Sequence, residues 1–381
     1  MSSFSSVLTG VDVLERDGFA PIMGDRIALV TNHTGLTGDG RATVDLLRAA
    51  PGVDLRALMG PEHGVRGELD TEQIADGGDQ RTGLPVYSLY GPRTRPTPEQ
   101  LSEIDTIVFD IQDIGCRFYT YISTLAHVMD AAAEFGKCLV VLDRPNPITG
   151  AAIEGPLADG DKLAFVACHP IPVRHGMTIG EIARLLQTER APGCNLTVIP
   201  CEGWTRDCWW DATGLVWTNP SPNMRSLGQA TLYPGVGLLE LTNVSVGRGT
   251  DTPFELFGAP YVDPRAFAAA VNAAGAPGVR VTPLWFTPRA SVFAGERCGG
   301  VNFLLTDRAA FDAVHLGFAL AAALRSLYAD HWAPEKLMTL LASAEAYQGV
   351  LEARSYETIA AGWEADLREF AARRNRALLY P

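Results

Sequence analysis

The sequence predicts an α/β protein in which a Rossmann-like parallel-sheet domain precedes a second, smaller α+β auxiliary domain. In the first half, short apolar runs rich in β-branched residues alternate with helical patterns, as they do where helices connect parallel strands. This alternation fades near Trp217, and a proline-rich passage follows over 219–226. The 381 residues also exceed what one hydrophobic core usually holds. We expect a Rossmann-like catalytic domain over residues 1–220 and an auxiliary α+β domain, closing a cleft, over residues 221–381.

Six strands are expected in the first half, because six apolar runs there have the length and composition of buried strands. These runs cover residues 26–31, 55–59, 86–89, 106–110, 138–142 and 196–199. In the second half, a further strand is expected over residues 301–305.

The helices are predicted from apolar spacing and capping patterns. Apolar residues at steps of four and three run from Tyr121 to Phe135 and end at Gly136, which indicates one amphipathic helix. Leucines spaced in the same way over residues 316–327 indicate another. Capping patterns predict three further helix starts. The expected N-cap residues are Thr97, Thr178 and Thr252. The Gln or Glu three residues after each, at position N3 of the capping box, is Gln100, Glu181 or Glu255.

Composition and charge exclude several classes of partner. The net charge is -13, so nucleic acid or an anionic membrane surface would repel the chain. The N-terminus has neither a basic segment nor an apolar segment of a signal peptide. The seven cysteines are scattered and form no Cys-x-x-Cys pair, which favours reduced thiols. We therefore expect a cytoplasmic protein that acts on a small molecule.

Familiar cofactor and nucleophile motifs are missing from the sequence. There is no G-x-G-x-x-G or P-loop string, no H-E-x-x-H and no zinc-type spacing of cysteine and histidine. The nucleophile elbow G-x-S-x-G of esterases is missing as well. We expect no cofactor and no metal.

Polar residues follow four of the predicted strands. In open α/β sheets, ligands bind beyond the carboxyl ends of the strands, so these residues predict a site. An aspartate after a strand can also serve only to cap the next helix. The candidates are Asn32 after the first strand; Glu62, His63 and Arg66 after the second; Asp110, Gln112 and Asp113 after the fourth; and Asp143, Arg144 and Asn146 after the fifth.

Glu62 is the leading catalytic candidate. It lies between Gly60 and Gly64 in a glycine-framed turn, directly after an apolar strand, and no downstream helix needs it as a cap. Glu181 and Glu255 have a structural explanation in their capping patterns. His63 could be a proton-transfer partner, a metal ligand or a histidine whose bonds are satisfied within the turn.

Several loop residues are candidates for binding substrate. An arginine fork suits a carboxylate, although each arginine could equally form a surface salt bridge. These candidates are Arg174 with His175, Arg225 and Arg248. Four of the seven tryptophans fall within residues 201–217, where an indole could support a sugar ring. For Trp209 and Trp210 we expect a place in the core.

Seven strings, in this order, resemble the bacterial exo-β-N-acetylmuramidase family, the NamZ-type glycoside hydrolases. The resemblance runs from about Gly10 to the C-terminal ALLYP, and it implies two subdomains facing each other across a cleft. It also implies cofactor-free release of N-acetylmuramic acid (MurNAc) from the non-reducing end of peptidoglycan fragments. The strings are GPEHGVRG (60–67), TGLPVYSLYG (82–91), FDIQDIGCRFYTYISTL (109–125), VLDRPNPITG (141–150), RHGMTIGEIA (174–183), PSPNM (220–224) and GRGTDTPFELFGAP (247–260).

The same resemblance implies roles for residues in these strings. The glutamate of the family's GPEHG motif, here Glu62, is regarded as catalytic. His63, Asn32 and the DIQD residues match motif positions, and Tyr119 and Asn223 join the substrate-binding candidates from their strings. Two positions depart from the family pattern and put the fine substrate preference in doubt. They are His33, where glutamine is common, and Val246, where some relatives carry glutamate.

We expect Glu62 to act as general acid, because glycoside hydrolysis requires protonation of the leaving group. The second role is open: Asp113 or Asp143 could be nucleophile or base, or the substrate's 2-acetamido group could attack. One of the arginines at 174, 225 and 248, together with His175, is expected to pair with the lactyl carboxylate of MurNAc.

Two alternatives compete with the glycosidase. One is a metal-assisted phosphoesterase or deacetylase that uses Asp110, Asp113 and Asp143. The other is a non-catalytic protein that binds muropeptides.

Overall fold

The computed structural model of the chain describes residues 6–65 and 76–381. Arg66 therefore lies outside the described residues. The twelve strands of the described part are β1 Arg26–Thr31, β2 Asp54–Gly60, β3 Gly77–Gly78, β4 Pro85–Ser88, β5 Thr106–Asp110, β6 Cys138–Leu142, β7 Glu154–Leu157, β8 Pro172–Arg174, β9 Asn195–Ile199, β10 Leu256–Ala259, β11 Val279–Phe286 and β12 Cys298–Leu305.

Eleven α-helices occur in the same part of the chain. They are α1 Gly10–Arg16, α2 Thr43–Ala49, α3 Tyr121–Glu134, α4 Ile179–Glu189, α5 Leu227–Val236, α6 Pro264–Ala273, α7 Ala313–Leu327, α8 Leu337–Leu341, α9 Ala344–Leu351, α10 Tyr356–Ala361 and α11 Glu364–Asn375. Not one helix within residues 6–65 and 76–381 has both the length and the apolar character that crossing a membrane requires.

The N-terminal half is built on a seven-stranded sheet in the order β3-β4-β2-β1-β5-β6-β9. Its strands pair in parallel, except that β3 pairs antiparallel with β4 at one edge. Counted in chain order, the six parallel strands stand as 3-2-1-4-5-6, the order of doubly wound dinucleotide-binding folds. The chain changes direction across the sheet between β1 and β5, and ligands bind at this switch point in such folds. The six predicted strands and the Rossmann-like fold class are confirmed.

Both faces of this sheet are buried, because successive side chains of a strand point to opposite faces. In β1, Ala28 and Val30 join the large core cluster with α3 and α4, whereas Ile27 and Leu29 join a second cluster with α1 and α2. The near-continuous apolar runs in the sequence follow from this two-sided burial.

The C-terminal half contains a three-stranded antiparallel sheet in the order β10-β12-β11, with α6 packed on it and α7 packed on α6 and α5. The predicted smaller α+β domain is therefore confirmed. Helices α5 and α7 cross at two glycines: a Cβ on Gly235 would lie 1.9 Å from the carbonyl oxygen of Ala313, and one on Gly317 would lie 2.7 Å from that of Gly235. The large core cluster continues from the parallel sheet into this half without a break.

Two predicted helix starts are wrong, for different reasons. Thr97 and Gln100 make the reciprocal capping bonds, but the chain forms only turns before β5 begins at Thr106. At Thr252 the chain turns instead, with Phe254 at a φ of 63°, and enters β10 at Leu256. The predicted capping box at Thr178 is confirmed at the start of α4.

Candidate active site

A groove of about 960 Å³ lies between the two halves of the molecule. The parallel-sheet half supplies one wall and the C-terminal half supplies the other. The residues that carry chemistry in this lining are Glu62, His63, Tyr90, Tyr119, Thr120, Tyr121, Ser221, Tyr233, Glu240 and Arg248.

Glu62 reaches the groove from a tight turn at the carboxyl end of β2. The Gly64 N–H donates to the carbonyl oxygen of Pro61 at 2.9 Å, and His63 adopts a φ of 70° inside this turn. A Cβ on Gly60 would lie 3.0 Å from the backbone nitrogen of Val65, so the turn needs glycine there. The left-handed conformation of His63 is uncommon outside glycine, and such strain is frequent at functional sites.

The Glu62 carboxylate is held by two hydroxyl groups. Tyr90 Oη donates to Oε1 at 2.8 Å, and Thr120 Oγ1 donates to Oε2 at 2.5 Å. Tyr90 follows β4, the parallel neighbour of β2, and Thr120 immediately precedes α3. The carboxylate is therefore oriented by elements on two sides. Sequence reasoning did not single out Tyr90 or Thr120, although both lie in strings used for the family resemblance.

Aromatic rings form much of the groove wall. Tyr233 packs edge-on against Tyr119 with ring centres 5.9 Å apart, and against Phe254 at 4.8 Å. Burial raises the pKa of Tyr119 and that of Tyr233 well above the usual value for tyrosine. Both phenols are therefore neutral hydrogen-bonding groups at physiological pH.

An ion pair between Arg248 and Glu240 lies on the C-terminal wall of the groove. Arg248 Nε donates to Glu240, and its guanidinium stands 5.4 Å from the centre of the Phe254 ring. Glu240 was missed by sequence reasoning, and we find no local sequence signal that marks it.

The other two candidate arginines lie elsewhere. Arg174 is buried, forms an ion pair with Glu154 and donates to the carbonyl oxygen of Ile148. Arg225 is on the surface, where its Nε donates to the carbonyl oxygen of Pro222 at 3.0 Å. Among the described arginine candidates, Arg248 is the one that lines the groove.

Two of the strand-end aspartates bond to groups inside the fold. Asp110 forms a buried ion pair with Arg144, with Oδ1 at 2.6 Å from Nε. Asp143 accepts bonds from the Gly180 N–H and from the hydroxyls of Thr178 and Tyr380. Burial raises the pKa of Asp143 to about 6. The hydrogen bonds that Asp143 accepts lower its pKa, but by less than burial raises it.

Asp113 and His175 form a second buried pair, with Oδ2 and Nε2 3.5 Å apart. The same Oδ2 accepts the Gly115 N–H at 2.7 Å, and Oδ1 is buried with no hydrogen-bond partner in the described part of the chain. Tyr119 is close enough to Asp113 and to Glu62 for both charges to act on its phenol. The pair is therefore near Tyr119, although neither Asp113 nor His175 lines the groove.

The remaining candidates make local bonds. Asn32 Oδ1 accepts from the Thr34 N–H at 2.9 Å, and Asn146 Nδ2 donates to the carbonyl oxygen of Met177 at 3.0 Å. Asn223 is buried in the loop before α5. Gln112 lies at a different cavity from Glu62. Within residues 6–65 and 76–381, no three histidine, cysteine, aspartate or glutamate side chains are grouped as metal ligands.

Comparison with protein families gives two matches that together span most of the chain. The model described as "Exo-beta-N-acetylmuramidase NamZ, N-terminal" matches residues 27–228, and its C-terminal counterpart matches residues 231–380. The chain belongs to the exo-β-N-acetylmuramidase NamZ family. The two matched regions meet near residue 230, and the expected domain ranges of 1–220 and 221–381 stay a prediction.

Relatives of this NamZ family member agree with that assignment. The chain is 41% identical over 380 residues to the peptidoglycan β-N-acetylmuramidase NamZ of Bacillus subtilis (strain 168), covering 98% of this chain and 91% of that protein. Crystal structures of two DUF1343 family proteins from Bacteroides fragilis NCTC 9343 have the same fold. They superpose with TM-scores of 0.93 and 0.80 at 37% and 30% identity, and each comparison covers 99% of both chains.

The tryptophans near residue 210 lie away from the groove of this NamZ family member. Trp210 is buried and packs edge-on against Trp217, and half-buried Trp209 packs against the core. The expected core position is confirmed for Trp210, whereas Trp209 lies at the edge of the core.

Proposed function

We propose that this chain is an exo-acting glycoside hydrolase that releases MurNAc from the non-reducing end of peptidoglycan fragments, with Glu62 as the general acid. The family match and the B. subtilis relative support the reaction class. One observation carries the role of Glu62: its carboxylate lines the groove between the two halves, held there by two hydroxyl groups.

The groove suits a sugar ring next to an acid. Hydrolysis of a glycosidic bond needs a proton on the leaving oxygen while positive charge develops on the sugar. Glu62 is half-buried, and its side chain is oriented by hydrogen bonds from Tyr90 and Thr120. Because the side chain is already ordered, little conformational entropy is lost when it approaches the leaving oxygen. The aromatic wall can cover the apolar C–H surface of the ring.

For the second catalytic role we keep two candidates, Asp113 and the substrate's own acetamido group. Asp143 is disfavoured because it is fully buried and accepts four hydrogen bonds within the fold. The buried, unpartnered Oδ1 of Asp113 supports a role through Tyr119, which lines the groove and is close enough to Asp113 for its charge to act on the phenol. Loss of turnover in Asp113→Asn supports Asp113, whereas retained turnover supports attack by the acetamido group.

For the lactyl carboxylate of MurNAc we propose Arg248 as the partner. Glu240 holds the guanidinium through Nε, which orients the planar fork within the groove. A planar fork pairs well with a carboxylate. Because GlcNAc has no lactyl group, this contact would distinguish the two sugars.

We also propose the cytoplasmic location and a role in cell-wall turnover. Cysteines of cytoplasmic proteins stay reduced. All seven cysteines of this chain are free thiols, as expected for such a protein.

Glu62→Gln tests the catalytic assignment, because it keeps the shape of the side chain and removes the acid. On a chromogenic β-MurNAc glycoside we expect kcat to fall by about 10² or more, the usual contribution of a general acid. Glu255→Gln is the matched control, since Glu255 accepts a bond from Ser226 outside the groove lining. Near-normal turnover by Glu62→Gln would reject the assignment.

Arg248→Ala tests the specificity assignment. We expect the ratio of kcat/KM for MurNAc and GlcNAc glycosides to fall by about tenfold, corresponding to one lost charge-assisted bond. Arg225→Ala, on the surface, should keep the parent ratio. If Arg248→Ala keeps it too, another group recognises the lactyl carboxylate.

A further inference from the structure

A second cavity, of about 740 Å³, lies at the carboxyl ends of β1, β5 and β6. It includes the loop that follows β1, Gln112 after β5 and Arg144 after β6. This is the switch point of the sheet, where doubly wound folds bind their ligands. The Glu62 groove uses the neighbouring ends of β2 and β4 instead, so the second cavity is not needed for the proposed hydrolysis.

Gln112 is on the lining of this cavity and carries an unmet acceptor. Its Nε2 donates to the carbonyl oxygens of Asp113 at 2.7 Å and Pro145 at 2.8 Å, which fixes the orientation of the amide. Its Oε1 is buried and has no hydrogen-bond partner among the described residues. A buried acceptor left without a partner is costly, so a ligand that donates to it would be favoured.

Trp210 presents an unmet donor on the lining of the same cavity. Its indole Nε1 is buried without a partner in the described part of the chain, and its ring packs edge-on on Trp217 with centres 5.6 Å apart. The cavity thus combines one acceptor, one donor and an aromatic ring. Leu36, Leu215 and Val216 add apolar surface.

This combination fits an uncharged sugar ring. A sugar hydroxyl can donate and accept at once, and the C–H face of the ring can cover an indole. Arg144 and Asp39 also line the cavity, but their charges are paired with Asp110 and Arg41, so neither favours a charged ligand. We propose that this cavity is a second saccharide site, which takes an uncharged amino sugar such as GlcNAc. The choice of GlcNAc rests on the proposed function, whereas the existence of the site does not.

One loop supplies residues to both the cavity and the groove. His33 Nε2 lies 2.5 Å from the carbonyl oxygen of Asn219 in this loop. On either side of that contact, Thr218 lines the cavity and Ser221 lines the groove. The two sites are therefore linked through this loop, and the second site serves to retain glycan rather than to cleave it.

Binding of GlcNAc and of chitobiose to the whole protein tests the site. The probe is the indole ¹H–¹⁵N NMR signal of Trp210, identified by its loss in Trp210→Phe. In the wild type we expect this signal to shift on titration with either sugar. Val216→Arg should weaken the affinity by about tenfold or more, a loss of about 1.4 kcal/mol, because Val216 is 80% exposed and a larger cation there obstructs the cavity.

Leu304→Arg is the matched control, since Leu304 is an exposed leucine on β12, outside both linings, and should bind as the wild type does. The proposal is overturned if the Trp210 signal does not move, if Val216→Arg binds as well as the control, or if soaked crystals show ordered water only. Wild-type turnover of the chromogenic MurNAc glycoside is measured separately. The proposed function and the second site can therefore fail independently.

Discussion

His63 follows the proposed general acid in the chain and holds the left-handed backbone conformation of its turn. A non-glycine residue in this region carries a cost of about 1–2 kcal/mol. Glycine would form the same turn with less strain, so the presence of a histidine side chain at this position makes His63 a candidate for function.

His63→Gly separates the imidazole from the turn. We expect the free energy of unfolding to stay within about 1 kcal/mol of the wild type, since the relieved strain offsets the added flexibility of the unfolded chain. We expect kcat on the MurNAc glycoside to fall by about tenfold, as for a lost positioning group. Urea denaturation and steady-state kinetics check the two parts. Unchanged kcat would show that only the backbone of His63 matters.

Tyr90→Phe removes one of the two hydroxyls that orient the Glu62 carboxylate. We expect kcat to fall by about tenfold with a smaller change in KM, because the acid is less well aligned. Tyr87→Phe is the control, since Tyr87 lies on β4, just before Tyr90, but packs on the core. An equal effect of both substitutions would contradict a specific role for the Tyr90 hydroxyl.

At the residue scale, the sequence could predict that Glu62 lies at a strand end, because that position depends on local chain pattern. It could not predict Tyr90, Thr120 or Glu240. These side chains reach the groove from other elements, and Glu240 was brought there by packing of the C-terminal half. For Arg174 the opposite happened. Its loop-like sequence suggested an accessible side chain, but the side chain is buried in an ion pair with Glu154.

At the scale of elements, the C-terminal tail is tied to the start of α4. Tyr380 Oη donates to Asp143, which also accepts from the Gly180 N–H and the Thr178 hydroxyl. The same Tyr380 oxygen accepts the Cys201 N–H at 2.8 Å. One phenol therefore joins the tail to a strand end and a helix start.

Tyr380→Phe should lower the free energy of unfolding by about 1–3 kcal/mol, because it leaves a buried acceptor and a buried donor unmet. The loss should be larger at pH 7 than at pH 4. The folded pKa of Asp143 is raised to about 6 from 3.8, so the folded state binds more protons between these values. Stability from this group therefore falls as pH rises through that window.

The Tyr380 hydroxyl bond lowers the pKa of Asp143, so removing the bond raises that pKa and deepens the loss at pH 7. Urea denaturation at both pH values measures the difference. Tyr347→Phe, at a half-buried position on α9, is the control and should show little pH dependence. Equal losses at pH 4 and pH 7 for Tyr380→Phe would contradict this account.

Capping patterns predicted elements only where chain length and packing agreed with them. Thr178 and Glu181 open a real helix, because eleven helical residues follow and bury an apolar face. The pattern at Thr97 is satisfied by a turn, since β5 begins at Thr106. The Thr252 pattern fails because its glutamate, Glu255, accepts from Ser226 at the start of α5.

At the scale of the whole molecule, Arg117 joins the two halves behind the groove. Its fully buried guanidinium donates to the carbonyl oxygens of Pro156 and Ile171 in the first half, and of Leu340 and Leu341 in the second. Burial lowers the pKa of Arg117 to about 10, so it remains charged at physiological pH. The next residues, Phe118 to Tyr121, line the groove.

Arg117→Met should lower the free energy of unfolding by about 3 kcal/mol or more, because it leaves several buried carbonyl groups unpaired. The protein should still unfold in one transition, since one core cluster spans both halves. Arg354→Met, which breaks an exposed ion pair with Glu352, should change stability by less than about 1 kcal/mol. Similar stabilities of the two variants would contradict the role of Arg117.

The most direct test of the central claim offers the purified protein two disaccharides, MurNAc-GlcNAc and GlcNAc-MurNAc, and follows the products by chromatography. Release of MurNAc from the non-reducing end predicts that MurNAc-GlcNAc is cleaved to its two sugars, while GlcNAc-MurNAc stays intact. Cleavage of GlcNAc-MurNAc with no cleavage of MurNAc-GlcNAc, or cleavage of neither, would contradict it.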